Sequence, residues 1–164
     1  MVSIKRCSMS GERPLTARET NLARRIFGNS VDYARVRIHS HKAYPFQPDN
    51  TAITPNGHIY FPSRVYEPDF SVRPDLAAWF IHEMVHVWQH QHGDWVRTKG
   101  MVFRTYKYGD ITGATRSFSS FLIEQQADIV SDYFRMTLGG KPKSGTGGIE
   151  DYRRIIPFLP KERR

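Results

Sequence analysis

FIHEMVHVWQHQHG, residues 80–93, places four histidines and one glutamate in an otherwise apolar run. Set on a helix at about 100° per residue, His82, Asp75, His86, Trp79, His90 and Glu83 share about one quarter of the wheel. The remaining arc of residues 74–90 is apolar, with Gln89 as its single polar member. A helix apolar on three sides is buried in its domain. Its polar quarter must then face a cleft or a bound species, because unpaired buried polar groups are costly. Pro74 suits the first turn, Asp75 complements the positive end of the helix dipole, and Gly93 closes the run.

Within that quarter lies His82-Glu83-Met84-Val85-His86, an H-E-x-x-H pattern. Histidines at i and i+4 stack one turn apart and can reach one zinc ion. The glutamate between them points beside the metal, where it can act as general base on a metal-bound water. A catalytic zinc takes three protein ligands. His90 lies about 12 Å along the axis from His82, too far for the same ion on a straight helix. His92 lacks the spacing that would return it to the site.

A second run, SFSSFLIEQQADIVSDYFRMTL (117–138), reads as a helix ended by Gly139-Gly140. It carries Glu124 and Asp128 one turn apart among apolar residues, so the two acids need a positive partner. A zinc ion bound by His82 and His86 would be that partner. Glu124 then supplies the third ligand, and Asp128 receives the N–H of a ligand histidine.

The rest of the chain frames these helices. ARETNLARRIFG (17–28) reads as a helix capped by Thr16 with Glu19 as capping-box partner. ARVRIH (34–39) alternates as a half-buried strand, AYPFQPDNTAITPNG (43–57) is a loop, and HIYFP (58–62) is a short strand entered through the Asn56-Gly57 turn. HIYF (58–61) is expected to be an edge strand beside the cleft, able to pair with an extended peptide. Residues 94–116 are expected to be a long loop with a strand at 101–106. His39, His41 and His58 carry no signal beyond their strand and loop positions. The expected organisation is a flexible N-terminus (1–11), one domain (12–140), a Gly-rich linker (141–148) and a basic C-terminal tail (149–164) amphipathic enough to dock on the body or a partner.

At 164 residues, 39% hydrophobic and 24% charged, the chain is one domain's worth of ordinary globular composition. The net charge of +8 resides at the two ends: residues 1–25 and 141–164 each balance to +4, and residues 26–140 balance to zero. Mobile charged tails account for that surplus, and no nucleic-acid motif accompanies it, so no specific nucleic-acid partner is expected. No stretch is apolar enough for a membrane span, and no apolar segment follows the basic residues of the N-terminus. Cytoplasmic synthesis without a signal peptide is expected, with export by another route left open. Cys7 is the only cysteine, which excludes an internal disulfide and a cysteine-based metal cage.

HEMVH, followed 38 residues later by the EQQAD segment, resembles the gluzincin arrangement of thermolysin-like zinc peptidases. More specifically, RPLTARE, FGNSVDYARVRIH, PNGHIYF and LAAWFIHEMVHVWQHQ, within about residues 12–134, resemble the metallopeptidase-like core domain found with extracellular contractile injection systems. Related small proteins accompany type VI secretion and its spike or Rhs components. The resemblance implies a small single-domain α+β, zincin-like fold: a buried active-site helix, a short antiparallel or mixed sheet, and a second helix completing the metal site. It implies Zn2+ held by His82, His86 and Glu124, with Glu83 catalytic and Asp128 in support. It supplies no matched electrophile for the tetrahedral intermediate, so Tyr106, Tyr108, Arg97, Tyr133 and His90 all stand as candidates. The expected function is zinc-dependent hydrolysis of peptide amide bonds by an effector of a contractile-injection (type VI) system, with a peptide or protein substrate. An injection spike protein or a cognate immunity protein is an expected partner. Two alternatives remain: hydrolysis of cell-wall peptide amides, and a zinc-stapled adaptor of the injection spike without turnover.

Overall fold

The computed structural model describes residues 11–93 and 105–160. The first helix, α1 (Ala17–Phe27), starts and stops where local chemistry dictates: Thr16 accepts from the Glu19 amide, and the Glu19 carboxylate accepts from the Thr16 amide. Gly28 ends it at φ 54°, a left-handed conformation that side chains avoid. Glu19 is also fully buried, and accepts from the Arg13 guanidinium at 2.8 and 2.9 Å and from the Phe70 amide at 2.9 Å. The capping glutamate thus ties α1 to the strand before it and to the turn leading into the next helix.

A three-stranded sheet runs in the order β1 (Glu12–Pro14), β2 (Arg37–His39), β3 (Ile59–Tyr60). β1 and β2 are antiparallel, and β2 and β3 are parallel, with Ile38 opposite Ile59. Only the second half of 34–39 is strand; Tyr33–Arg35 is a 3-10 turn that buries the Tyr33 ring and lets its hydroxyl donate to the Gly28 carbonyl at 2.8 Å. The 58–61 segment is not the outer edge. Ile53 pairs antiparallel with Tyr60, so the 51–54 segment lies outside β3. The turn between them needs Gly57 at φ 80°, and a β-carbon there would come within 2.6 Å of the His90 ring.

The central helix α2 (Pro74–Gln91) has Pro74 in its first turn and ends just before Gly93. Phe80, Ile81, Met84, Val85 and Val87 are all fully buried, as the three-sided apolar pattern requires. α3 (Ile123–Thr137) packs along it. It begins six residues later than its sequence pattern indicates. Ser120 satisfies backbone locally instead: its Oγ donates to the Ser117 carbonyl at 2.8 Å around the 3-10 turn Phe118–Ser120. Phe118 and Phe121 are still buried, so the apolar period was real, but a turn delivers it.

After α3, the stretch 141–148, which composition alone marks as a linker, is held against the body. β5 (Gly145–Thr146) pairs in parallel with β4 (Gly109–Asp110), and the amides of Lys143 and Ser144 donate to the Asp132 carboxylate at 2.9 Å each. α4 (Ile149–Ile155) then docks by burying Tyr152 completely. Of the strand expected at 101–106, Thr105 and Tyr106 are irregular and the remainder lies outside the described residues. No described helix is long and apolar enough to cross a membrane.

Candidate metal centre

α2 and α3 bring His82, His86 and Glu124 together so that one ligand atom from each lies within 4.8 Å of the other two, the single such cluster among the described residues. The Nε2 atoms of His82 and His86 each lie 3.3 Å from Glu124 Oε2. Two donors bound to one tetrahedral ion at about 2.0–2.1 Å stand about 3.3 Å apart, so the spacing fits a single zinc.

Nδ1 of His82 donates to Asp128 Oδ1 at 2.8 Å, and Nδ1 of His86 donates to Gln89 Oε1 at 2.7 Å. A carboxylate or amide oxygen can only accept, so both imidazoles carry a proton on Nδ1 and turn Nε2 toward Glu124. Asp128 is itself held by the Ser144 hydroxyl, and Gln89 by donating to the Ile123 carbonyl at 3.1 Å and to Gln126 Oε1 at 2.9 Å. Glu83, nearly fully buried, accepts from the Thr54 hydroxyl at 2.7 Å.

The electrostatics favour positive charge here. Burial opposes protonation of His82, but its bonds to Asp128 and Glu124 and the nearby Glu83 outweigh it and raise the pKa to about 10. His86 is raised too, with burial opposing and Glu124 prevailing. Burial pushes Glu124 up, yet the two imidazoles hold it well below the usual carboxylate range. Three carboxylates around two imidazoles make a site that favours positive charge.

The cluster opens on a cleft of about 510 Å³ whose floor is α2 and α3 and whose far wall is the 44–55 loop. Of the candidate electrophiles, Tyr106 lines this cleft, its ring centroid 6.1 Å from that of His82. Tyr108 is elsewhere: its hydroxyl donates to Asp132 Oδ2 at 2.6 Å and meets the Tyr152 hydroxyl at 2.6 Å, and burial followed by that carboxylate raises it well above the usual phenol range. Tyr133 meets Arg153 at 3.5 Å, and His90 packs on the Gly57 turn. His92 folds back on the Trp88 carbonyl at 2.8 Å. Arg97 lies outside the described residues.

Sequence reasoning passed over Gln89, Thr54 and Ser144. Gln89 left a trace, as the one polar residue on the apolar arc and three residues after His86. Thr54 and Ser144 sit in stretches dense in turn residues, where nothing local distinguishes them.

Fold and site define a small single-domain α+β protein with a two-helix His–His–Glu cluster at the bottom of a cleft. No family model matches the sequence. The chain is 39% identical over 130 residues to the type VI secretion system spike protein VgrG2b of Pseudomonas aeruginosa, across 74% of this chain and 13% of that protein's length. The solved effector domain of Pseudomonas aeruginosa VgrG2b matches it with a TM-score of 0.72 at 30% identity, over 97% of this chain and 89% of that one. The chain belongs to the family of this effector domain.

Proposed function

We propose that the protein is a type VI secretion effector that hydrolyses peptide amide bonds with zinc. The observation that carries this reading is the 3.3 Å approach of both Nε2 atoms to one Glu124 oxygen, with each Nδ1 locked away from them. Zinc held by His82, His86 and Glu124 would supply Lewis acidity toward a carbonyl and a water.

The chain's own residues supply the rest. Glu83, fixed by Thr54, takes a proton from the attacking water and passes it to the leaving nitrogen. Asp128 and Gln89 keep the two imidazoles in one tautomer and orientation. Tyr106, on the cleft side, donates to the developing oxyanion. The 51–54 segment replaces HIYF as the docking edge: Ile53 spends its N–H and C=O on Tyr60, so those of Ala52 and Thr54 face the other way. A peptide laid along that edge as an added strand crosses the cluster. Family membership supports a spike protein as the delivery partner.

The test is the metal content of purified protein after zinc reconstitution, beside the single variants His82→Ala and Glu124→Ala. About one zinc per chain, lost in both variants, is expected. Cleavage of a peptide library by wild type but not by Glu83→Gln is then expected. A wild-type protein that takes up no zinc sinks the proposal. Zinc binding with no cleavage of any peptide would leave the adaptor reading.

A further inference from the structure

α3 presents Glu124, Asp128, Ser131 and Arg135 to the cleft at spacings of four, three and four residues, one continuous stripe. Three of the four are hydrogen-bonded through their side chains. Glu124 meets both histidines, Asp128 holds His82, and Ser131 donates to the Ala78 carbonyl at 2.9 Å.

Arg135 differs. Its side chain is 21% exposed, and its Nε is shielded from solvent with no hydrogen-bond partner. The nearest carboxylate oxygen, Asp132 Oδ1, is 3.7 Å away, beyond hydrogen-bond reach. Asp132 is already satisfied by the amides of Lys143 and Ser144 and by the Tyr108 hydroxyl. That network buttresses the C-terminal strap and leaves Arg135 an ion pair at 3.7 Å with no hydrogen bond at Nε. A largely buried guanidinium that lines the cleft, with no hydrogen bond at its Nε, is placed to gain from a charged partner entering the cleft. Arg135 is also the only lysine or arginine among the described residues lining the cleft.

We infer that Arg135 reads a carboxylate of the bound peptide, so that the site selects substrates carrying an acidic group a few residues from the bond positioned over His82, His86 and Glu124. This rests on the peptide-hydrolase reading. The planar guanidinium fork matches a carboxylate in two parallel hydrogen bonds. Arg135 follows Glu124 by eleven residues, about 16 Å of helix axis. Its side chain leans back toward the helix N-terminus, so an extended peptide bridges the gap with about three to five residues. The acidic group is an Asp or Glu side chain or a C-terminal carboxylate, which offer the same chemistry.

The test uses the full chain as zinc-loaded Glu83→Gln, immobilised and exposed to a randomised decapeptide library made once as free acids and once as C-terminal amides. Enrichment of Asp and Glu over Asn and Gln at one position of the amide library, by about tenfold for one charge-assisted pair, would identify a side chain. Preferential capture of free acids over amides would identify the terminal carboxylate. Added Arg135→Met should abolish either preference, Arg135→Glu should shift selection to Lys and Arg, and Arg135→Lys should keep part of it. Thermal melts establish that each variant is folded. Equal capture of acidic and neutral peptides, no capture, or a preference that survives Arg135→Met overturns the inference. The two proposals fail separately. Acid-selective capture with no turnover by the Glu83-intact protein sinks the hydrolase reading alone, and turnover indifferent to carboxylates sinks the Arg135 inference alone.

Discussion

Two groups of histidines in this molecule look alike as lists of residues and differ in what their ring nitrogens meet. On the sheet, the His39 ring lies 5.1 Å from His41 and 6.0 Å from His58, and stacks on Tyr60 at 4.2 Å. Both its ring nitrogens are buried without a hydrogen-bond partner, and the nearest carboxylate, Glu12, is 3.7 Å away. Between the helices, His82 and His86 have each Nδ1 bonded and each Nε2 aimed at the same glutamate oxygen. The electrostatics separate the groups as well. Burial, with His41 and His58 nearby, lowers His39 against the weaker pull of Glu12, whereas carboxylates raise His82 and His86. Crowded histidines therefore make an aromatic stack unless outward partners lock each ring and a carboxylate joins the cluster.

The largest effect expected from this contrast is on catalysis. Glu83→Gln should lower peptide hydrolysis by about 10²–10⁴-fold while zinc content and melting temperature hold. A variant that loses zinc as well would recast Glu83 as a ligand.

Next comes the layer behind the ligands. Asp128→Asn and Gln89→Leu should each weaken zinc binding by about 10–100-fold, read by competition with a chromophoric chelator. Ser144→Ala, one bond further out, should do so less. If Gln89→Leu bound zinc as wild type does, the locking of His86 would not matter to the metal.

Zinc binding should also stabilise the fold. At a free concentration 100 times its dissociation constant the gain is about 2.7 kcal/mol, a rise of about 5–10 °C in melting temperature for a domain of this size, reversed by chelation. His39→Phe should leave that rise unchanged. If His39→Phe removed it and His82→Ala did not, the comparison would be inverted.

The smallest effect concerns the sheet group. His39 holds its proton less tightly folded than unfolded, so acid below its ordinary value of 6.5 protonates the unfolded chain first and drains stability as pH falls. His58 is lowered too, chiefly by burial and then by Arg37, and acts in the same direction. Thermal melts between pH 7 and pH 5 should show His39→Phe losing less stability than wild type. A parallel decline in both would mean that His39 does not titrate in that range.

Much of this could be read from the chain because it is local. Helix α2 runs from Pro74 to Gln91, as its apolar period, first-turn proline and closing glycine indicate, and Thr16 with Glu19 starts α1. The stretch 117–122 shows where local pattern misleads. Phe118 and Phe121 keep a helical period, but Ser120 between them bonds the Ser117 carbonyl and makes a turn.

What the sequence by itself determined is the pairing of His82 with His86 around Glu83, and of Glu124 with Asp128, because four residues is one turn and one turn is one face. It also determined that both helices would be buried, since each carries an apolar arc too wide for a surface. Only the tertiary structure decided which groups those side chains meet. Thr54 reaches Glu83 across 29 residues, Asp128 reaches His82 across 46, and Ser144 arrives at Asp128 on a strap that composition alone would leave loose. The placement of Arg135 on the cleft wall, and of the 51–54 segment outside β3, belongs with these. Such contacts follow from how buried surfaces pack over the whole domain, and no spacing along the chain records them.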